Sequence, residues 1–202
     1  MHPLMKKILS IFIITLVTCG ALQAQSNFTL TYSMGFATGD LGDYISQPSF
    51  RGATVEFRKM VQPNIGVGLT FGWNVFYEEI SRDSYTAGNS TLTGKQFRYS
   101  NHFPILLGAD YYLSPGEKFN PFVGLGVGTI YTRRNTDMNL YTVEQEAWNF
   151  ALQPEVGFLY SLTDGAAIVV MGRFNQGFKA GNELDGDQSY FTLNVGFSFA
   201  NN

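Results

Sequence analysis

His102 is the one histidine beyond residue 24, and Ser100 stands two positions before it. In an extended segment that spacing puts both side chains on one face, within the reach that a serine nucleophile needs from its base. Acyl transfer also requires an acid to orient the histidine, and none is apparent beside this pair. A hydrogen-bonded polar pair inside the fold is the simpler reading. A second set, Glu56, Arg58, Asp110, Glu155 and Arg173, mixes charges on faces otherwise made of Gly, Thr, Ser and Asn. Such groups either pair with one another where water is excluded or line a narrow polar conduit. Gly181-Asn182-Glu183-Leu184-Asp185-Gly186-Asp187 is rich in oxygen ligands, but its spacing departs from the helix-flanked calcium loop and reads as a solvated acidic loop. Arg133 and Arg134 open a polar stretch and have the chemistry to meet phosphates. There is no phosphate-cradling glycine loop, zinc-ligand spacing or nucleophile motif, so neither a cofactor nor a metal is expected.

These residues are carried by segments in which apolar and polar residues alternate. From Ile65 to Tyr77, Ile65, Val67, Leu69, Phe71, Trp73, Val75 and Tyr77 alternate with Gly66, Gly68, Thr70, Gly72, Asn74 and Phe76. Successive side chains of a strand point to opposite sides, so a period of two means two environments. The pattern predicts eight strands, near 27–37, 50–61, 65–77, 96–113, 121–132, 147–162, 166–176 and 189–199. Short connections, Gln62-Pro63-Asn64, Ser114 to Asn120 and Thr163-Asp164-Gly165, take turns with long polar ones at 38–49, 78–95, 133–146 and 177–188. That asymmetry is the mark of a bacterial outer-membrane barrel, with short turns in the periplasm and long loops outside the cell.

The first 24 residues read as an export signal. Lys6 and Lys7 form the basic end, Ile8 to Val17 the apolar core and Ala21-Leu22-Gln23-Ala24 a small-residue exit, with cleavage after Ala24. The alternative is a lipoprotein signal at Leu16-Val17-Thr18-Cys19, where Thr18 is larger than the residue usual before a lipidated cysteine. Cys19 is the only cysteine of the chain, so residues 25–202 form one domain without a disulfide. Loss of the two leader lysines takes the basic count from 13 to 11 against 16 acidic residues, a formal charge of about −5. Nucleic acid is thereby an unsuited partner.

Sidedness decides between a soluble and a membrane barrel. A soluble barrel of this size hides its apolar residues inside. Here the opposite faces hold the charges, and several apolar faces end on Trp, Tyr or Phe, as interface girdles do. Turn geometry sharpens the point. A two-residue hairpin at Asp164-Gly165 would set Val156 opposite Arg173 and turn the arginine into lipid. A three-residue turn with Gly165 left-handed instead pairs Leu162 with Ala166, Phe158 with Val170 and Glu155 with Arg173. The same construction at Gln62-Pro63-Asn64 pairs Val61 with Ile65, Phe57 with Leu69, Arg58 with Gly68 and Glu56 with Thr70, and leaves Lys59 outward near the periplasmic headgroups. Pro104 and Pro154 fall inside strands of a sheet that should have no edge, which predicts bulges there.

Three stretches, Asn101-His102-Phe103-Pro104-Ile105-Leu106-Leu107-Gly108-Ala109-Asp110-Tyr111-Tyr112, Asn120-Pro121-Phe122-Val123-Gly124-Leu125-Gly126-Val127-Gly128 and Leu193-Asn194-Val195-Gly196-Phe197-Ser198-Phe199, carry a family likeness. The chain resembles the outer-membrane β-barrel domain of small porin-family proteins, particularly those of Bacteroidetes-like bacteria, and more distantly the OmpA-, OmpX- and OmpW-like eight-stranded barrels. The resemblance implies an all-β, eight-stranded antiparallel up-and-down transmembrane barrel. It also implies outer-membrane lipids and lipopolysaccharide as surroundings, the barrel-assembly machinery as a partner in biogenesis, and a monomer. One departure is that Phe199 is followed by Ala200, Asn201 and Asn202, where the family's assembly signal ends on the aromatic residue.

The functional expectation is a structural barrel or narrow passive conduit for small solutes. Its alternatives are a surface interaction protein acting through its outer loops and, behind both, an enzyme acting on lipid A through Ser100 and His102. Cleavage after Ala24 is expected to leave Gln25 as the mature amino terminus; intact-mass measurement of protein purified from outer membranes checks this, and a lipid adduct on Cys19 would contradict it.

Overall fold

The computed structural model describes residues 25–201 apart from 88, 89, 139, 140, 182, 183 and 185. The leader with Cys19, and Asn182, Glu183 and Asp185 of the acidic loop, lie outside the described residues. Eight antiparallel strands form a closed barrel in chain order: β1 (Ser26–Thr38), β2 (Gly52–Gln62), β3 (Ile65–Ala87), β4 (Ser90–Tyr112), β5 (Phe119–Met138), β6 (Tyr141–Thr163), β7 (Ala166–Gly177) and β8 (Gln188–Asn201). A single helical turn and a half, α1 (Gly39–Tyr44), follows β1. β1 closes the ring on β8 without a register shift, from Ser26 opposite Asn201 to Thr38 opposite Ser189.

Alternation places the apolar residues outside. Leu30, Phe57, Leu107, Leu125, Phe150, Val156 and Phe197 are each about half exposed, whereas Thr29, Thr54, Glu56, Thr70, Asp110, Glu155 and Thr192 are buried on the inner face. Trp73, Phe103, Tyr131 and Trp148 run around four successive strands as a belt, with ring centroids 6.3, 6.0 and 5.0 Å apart. Toward the short turns, Phe28 meets Phe57 at 5.1 Å, Phe119 meets Phe158 at 5.2 Å, and the Lys118 ammonium lies 5.2 Å from the Tyr160 ring. Two aromatic girdles around an apolar band fit headgroup levels on either side of hydrocarbon.

Two of the expected outer loops are strand instead. β3 and β4 continue to Ala87 opposite Ser90, and β5 and β6 to Met138 opposite Tyr141, so 78–95 and 133–146 are the ends of long hairpins. Above the belt no lipid is present to demand an apolar stripe. Cross-strand polar pairs do the pairing there: Lys95 with Glu79 at 2.5 Å, Arg133 with Glu144 at 2.7 Å, Ser84 with Thr93 at 2.8 Å. The amphipathic period therefore stops at the membrane surface while the ladder does not.

The turns also differ in detail from the expected ones. Gln62 pairs with Ile65 and Thr163 with Ala166, and the register shifts after Met60 and after Ser161. The extra residue sits as a bulge at Val61 and at Leu162, and Gly165 is not among the left-handed glycines. One residue is inserted either way, so Phe57 opposite Leu69, Phe158 opposite Val170 and Glu155 opposite Arg173 hold. Pro104 and Pro154 cause no bulge. The β3–β4 ladder is interrupted opposite Pro104 and the β6–β7 ladder opposite Pro154, but the pairs on both sides keep one register. A proline removes a donor without adding a residue, and the long strands on either side hold the alignment. Gly72 gives Pro104 its room, because a Cβ there would lie 2.7 Å from the proline Cγ.

Leu125 is outward and near the middle of the β5 apolar band. Leu125→Arg is expected to cost about 2 to 4 kcal/mol in a urea titration of folding in lipid vesicles, and an unchanged midpoint would contradict the sidedness.

Candidate functional site in the barrel lumen

The inner face carries the charged residues at one level. Glu56 and Arg58 come from β2, Asp110 from β4, Glu155 from β6 and Arg173 from β7, and each of these side chains is at most 5% exposed. Arg58 Nε donates to Asp110 Oδ2 at 2.7 Å, its Nη1 to the Leu69 carbonyl at 3.1 Å and its Nη2 to Thr70 Oγ1 at 3.0 Å. The same Nη2 lies 3.6 Å from Glu155 and 3.9 Å from Glu56. Arg173 Nε donates to Glu155 Oε2 at 2.7 Å, and its Nη2 closes the ring as an ion pair with Glu56. All five residues thus form one connected network across the lumen.

Glycine makes the crossing feasible. A Cβ at Gly108 would stand 2.8 Å from the Arg58 guanidinium, and one at Gly124 would stand 2.4 Å from Asp110 Oδ1 and 2.8 Å from Glu155 Oε1. The inner glycines therefore leave volume that the charged side chains already fill. Next to the network toward the periplasm, Tyr112, Phe122, Val169 and Met171 form an apolar layer. Below that, a cavity of about 510 Å³ opens among Asn27, Met60, Tyr112, Lys118 and Leu159.

Toward the cell exterior lies a layer that the sequence reading missed. Phe76, Leu106, Ile130, Ala151 and Tyr190 point inward and pack with Leu41 and Ile45 beneath α1. Their signal was present as large apolar residues at inward positions of an otherwise small and polar face. Ser100 and His102 belong to this layer. Ser100 Oγ lies 2.9 Å from His102 Nε2, and Thr132 Oγ1 lies 3.2 Å from Nδ1. The imidazole sits against Phe76 and Tyr190 at centroid distances of 5.5 and 5.0 Å. Both polar residues are fully buried, and the group on Nδ1 is a hydroxyl rather than a carboxylate. Among the described residues a hydroxyl, not a carboxylate, stands behind the histidine, and the serine is closed off from the surface.

α1 caps the mouth. The Tyr44 hydroxyl meets Thr136 Oγ1 at 2.6 Å, and its ring is flanked by the Arg134 and Arg98 guanidiniums at 4.0 and 4.9 Å. Burial pushes the Tyr44 hydroxyl above its ordinary pKa, against the two cations. Asp40 Oδ2 accepts from the Asp187 N–H at 2.7 Å, which ties loop 178–187 to the cap. Arg134 is thus turned inward, where it also donates to Gln188 at 3.1 Å, and does not face phosphates outside the barrel. Only Arg133 of that pair is outward, and its hydrogen bond holds the Glu144 carboxyl below the usual carboxylate range. In the acidic loop, Asp187 accepts from the Lys179 N–H at 2.8 Å and from Gln176 at 3.0 Å.

An eight-stranded closed sheet, girdled by aromatic rings and polar within, is the architecture of an outer-membrane protein, and residues 10–199 match the outer membrane protein beta-barrel domain. The chain belongs to that family. No curated protein matches it. Among solved structures, Ail, the attachment invasion locus protein of Yersinia pestis, shares 10% identity with a TM-score of 0.57, over 89% of this chain and 100% of that one. OprG from Pseudomonas aeruginosa shares 16% identity with a TM-score of 0.56, over 91% and 98%. The outer membrane protease OmpT from Escherichia coli shares 9% identity with a TM-score of 0.50, over 91% and 100%. Likenesses at this identity concern the fold alone.

Removing one member of a buried ion network strands its partners. Arg173→Ala is expected to cost about 3 to 5 kcal/mol in vesicle-folding titrations, because Glu56 and Glu155 lose their shared cation. Adding Glu155→Gln to that variant should recover part of the loss, and additivity of the two changes would show that the residues are not coupled.

Proposed function

We propose that the protein is a sealed outer-membrane anchor that works through its outer face, formed by the β3–β4 and β5–β6 hairpins, α1 and loop 178–187. The observation that carries this reading is the filled lumen. Met171 and Tyr112, then the Arg58 and Arg173 network, then Phe76, Leu106 and Tyr190 are stacked along the axis, and each of these side chains is buried. A conduit for solutes would need three layers to part, including a guanidinium leaving its carboxylates in low dielectric. The outer face, by contrast, is built largely of paired strand.

In this reading the ion network is structural. It pairs opposite charges in a lumen that eight strands make too narrow for bulk water. Outer-membrane lipid and lipopolysaccharide form the lateral surroundings, against the belt from Trp73 to Trp148.

Planar-bilayer recording of the purified barrel is expected to show no discrete openings. Steady unitary currents from the wild-type protein, lost when Gly126→Trp adds bulk to the lumen, would replace this reading with that of a passive conduit.

A further inference from the structure

The network in the lumen holds one more carboxyl than guanidinium. Glu56, Asp110 and Glu155 face Arg58 and Arg173, and each of these side chains is at most 5% exposed. The neighbouring strands do not correct the balance: β1 sets Thr29 opposite Glu56, β3 sets Gly66 opposite Asp110 and Thr70 opposite Glu56, and β8 sets Thr192 opposite Arg173. From β4 the Tyr112 hydroxyl stands 3.5 Å from Asp110 Oδ2 and brings no positive charge. A buried charge without a counter-charge is costly, so something positive is expected to accompany the network.

Strand register shows where it belongs. Asp110, Gly124 and Glu155 are consecutive along one inner row, with Gly124 opposite Asp110 on one side and opposite Glu155 on the other. Each carboxyl commits one oxygen to a guanidinium: Asp110 Oδ2 accepts from Arg58 Nε and Glu155 Oε2 from Arg173 Nε, both at 2.7 Å. The second oxygens, Asp110 Oδ1 and Glu155 Oε1, turn over the glycine, where a Cβ on Gly124 would stand 2.4 and 2.8 Å from them. There the two carboxyls come within hydrogen-bonding reach of each other. Both oxygens are buried, and neither receives a hydrogen bond. Two acceptors that meet without a donor repel, whereas one hydrogen held between them turns the contact into a bond.

We propose that Asp110 and Glu155 hold a single proton between them, a buried proton site that leaves the lumen network without net charge. A metal ion fits less well. Hard cations ask for several oxygens, and among the described residues no three His, Cys, Asp or Glu side chains are arranged to hold one. Arg58 Nη2 already lies 3.6 Å from Glu155 Oε1, and Glu56 is taken up by Arg173. A proton needs only the two oxygens and no added volume. It belongs to the pair rather than to either residue. Protonated Asp110 donates to Glu155 Oε1, protonated Glu155 donates to Asp110 Oδ1, and both arginine hydrogen bonds survive either way.

The test is infrared spectroscopy of the full barrel at neutral pH in ether-linked lipid, which has no ester carbonyl to mask a carboxylic acid. The wild type is expected to show the C=O stretch of a protonated carboxyl, lowered in frequency when the protein is folded in heavy water. Exposed Asp and Glu are ionised at that pH and do not contribute. Glu155→Gln and Asp110→Asn each keep the side-chain shape, bring carboxylates and guanidiniums level and are expected to abolish the band, with circular dichroism confirming the folded barrel. Glu79→Gln, on the exposed β3–β4 hairpin, is expected to leave it unchanged. A wild-type spectrum without the band overturns the proposal and needs no variant to fold. A band that survives in either folded variant overturns it too, since the acid then lies elsewhere. So does a band that is missing in sodium or potassium buffer and emerges only when a bulky organic cation replaces them, which would assign the site to a metal cation.

Discussion

In hydrocarbon no water is available to satisfy a backbone N–H or C=O, so a sheet that crosses a membrane must bond every strand on both sides. Closure follows from that constraint, and most of the architecture follows from closure. β1 meets β8 along thirteen paired positions, and the ring has no free edge where lipid touches it. Once eight strands close, the interior has room for side chains and little else. Charged residues at inward positions then have no solvent to escape to, and pairing is what remains. Arg58 and Arg173 each serve more than one carboxylate, as expected where guanidiniums with several donors are buried away from the surface.

The same constraint explains where regularity can lapse. Pro104 and Pro154 each delete a ladder donor within the span, and the sheet tolerates the loss because the flanking pairs on long strands hold the register. Above the belt the demand is lifted. There β3 to β6 outgrow their neighbours, and polar pairs replace the apolar stripe. The boundary between closed ring and open sheet therefore coincides with the boundary between the two solvents.

Much of this was legible in the chain itself. A period of two with aromatic ends gave strand number, connectivity and sidedness, because lipid imposes the pattern residue by residue. The pairing of Glu155 with Arg173 could be counted from the turn, since an added residue shifts the register by the same amount wherever it sits. For that reason the bulges at Val61 and Leu162 and the ordinary backbone of Gly165 changed the turn and left the register intact. The ends of the hairpins were not legible, because 78–95 and 133–146 pair through scattered polar residues that read equally well as loop.

The plug divides in the same way. Local alternation sufficed to send Glu56, Arg58, Asp110, Glu155, Arg173, Ser100 and His102 inward, since facing is a property of one strand at a time. Which of them meet depends on the curvature that brings β2 across the lumen to β7, and on the volume left by Gly108 and Gly124, neither of which is written in a linear spacing. The layer of Phe76, Leu106, Ile130 and Tyr190 under Leu41 and Ile45 arises likewise from four strands and a cap that are far apart in the chain. Facing is decided by neighbours one residue away and is carried by the linear order. Contact across the axis is decided by closure, and only the closed barrel contains it.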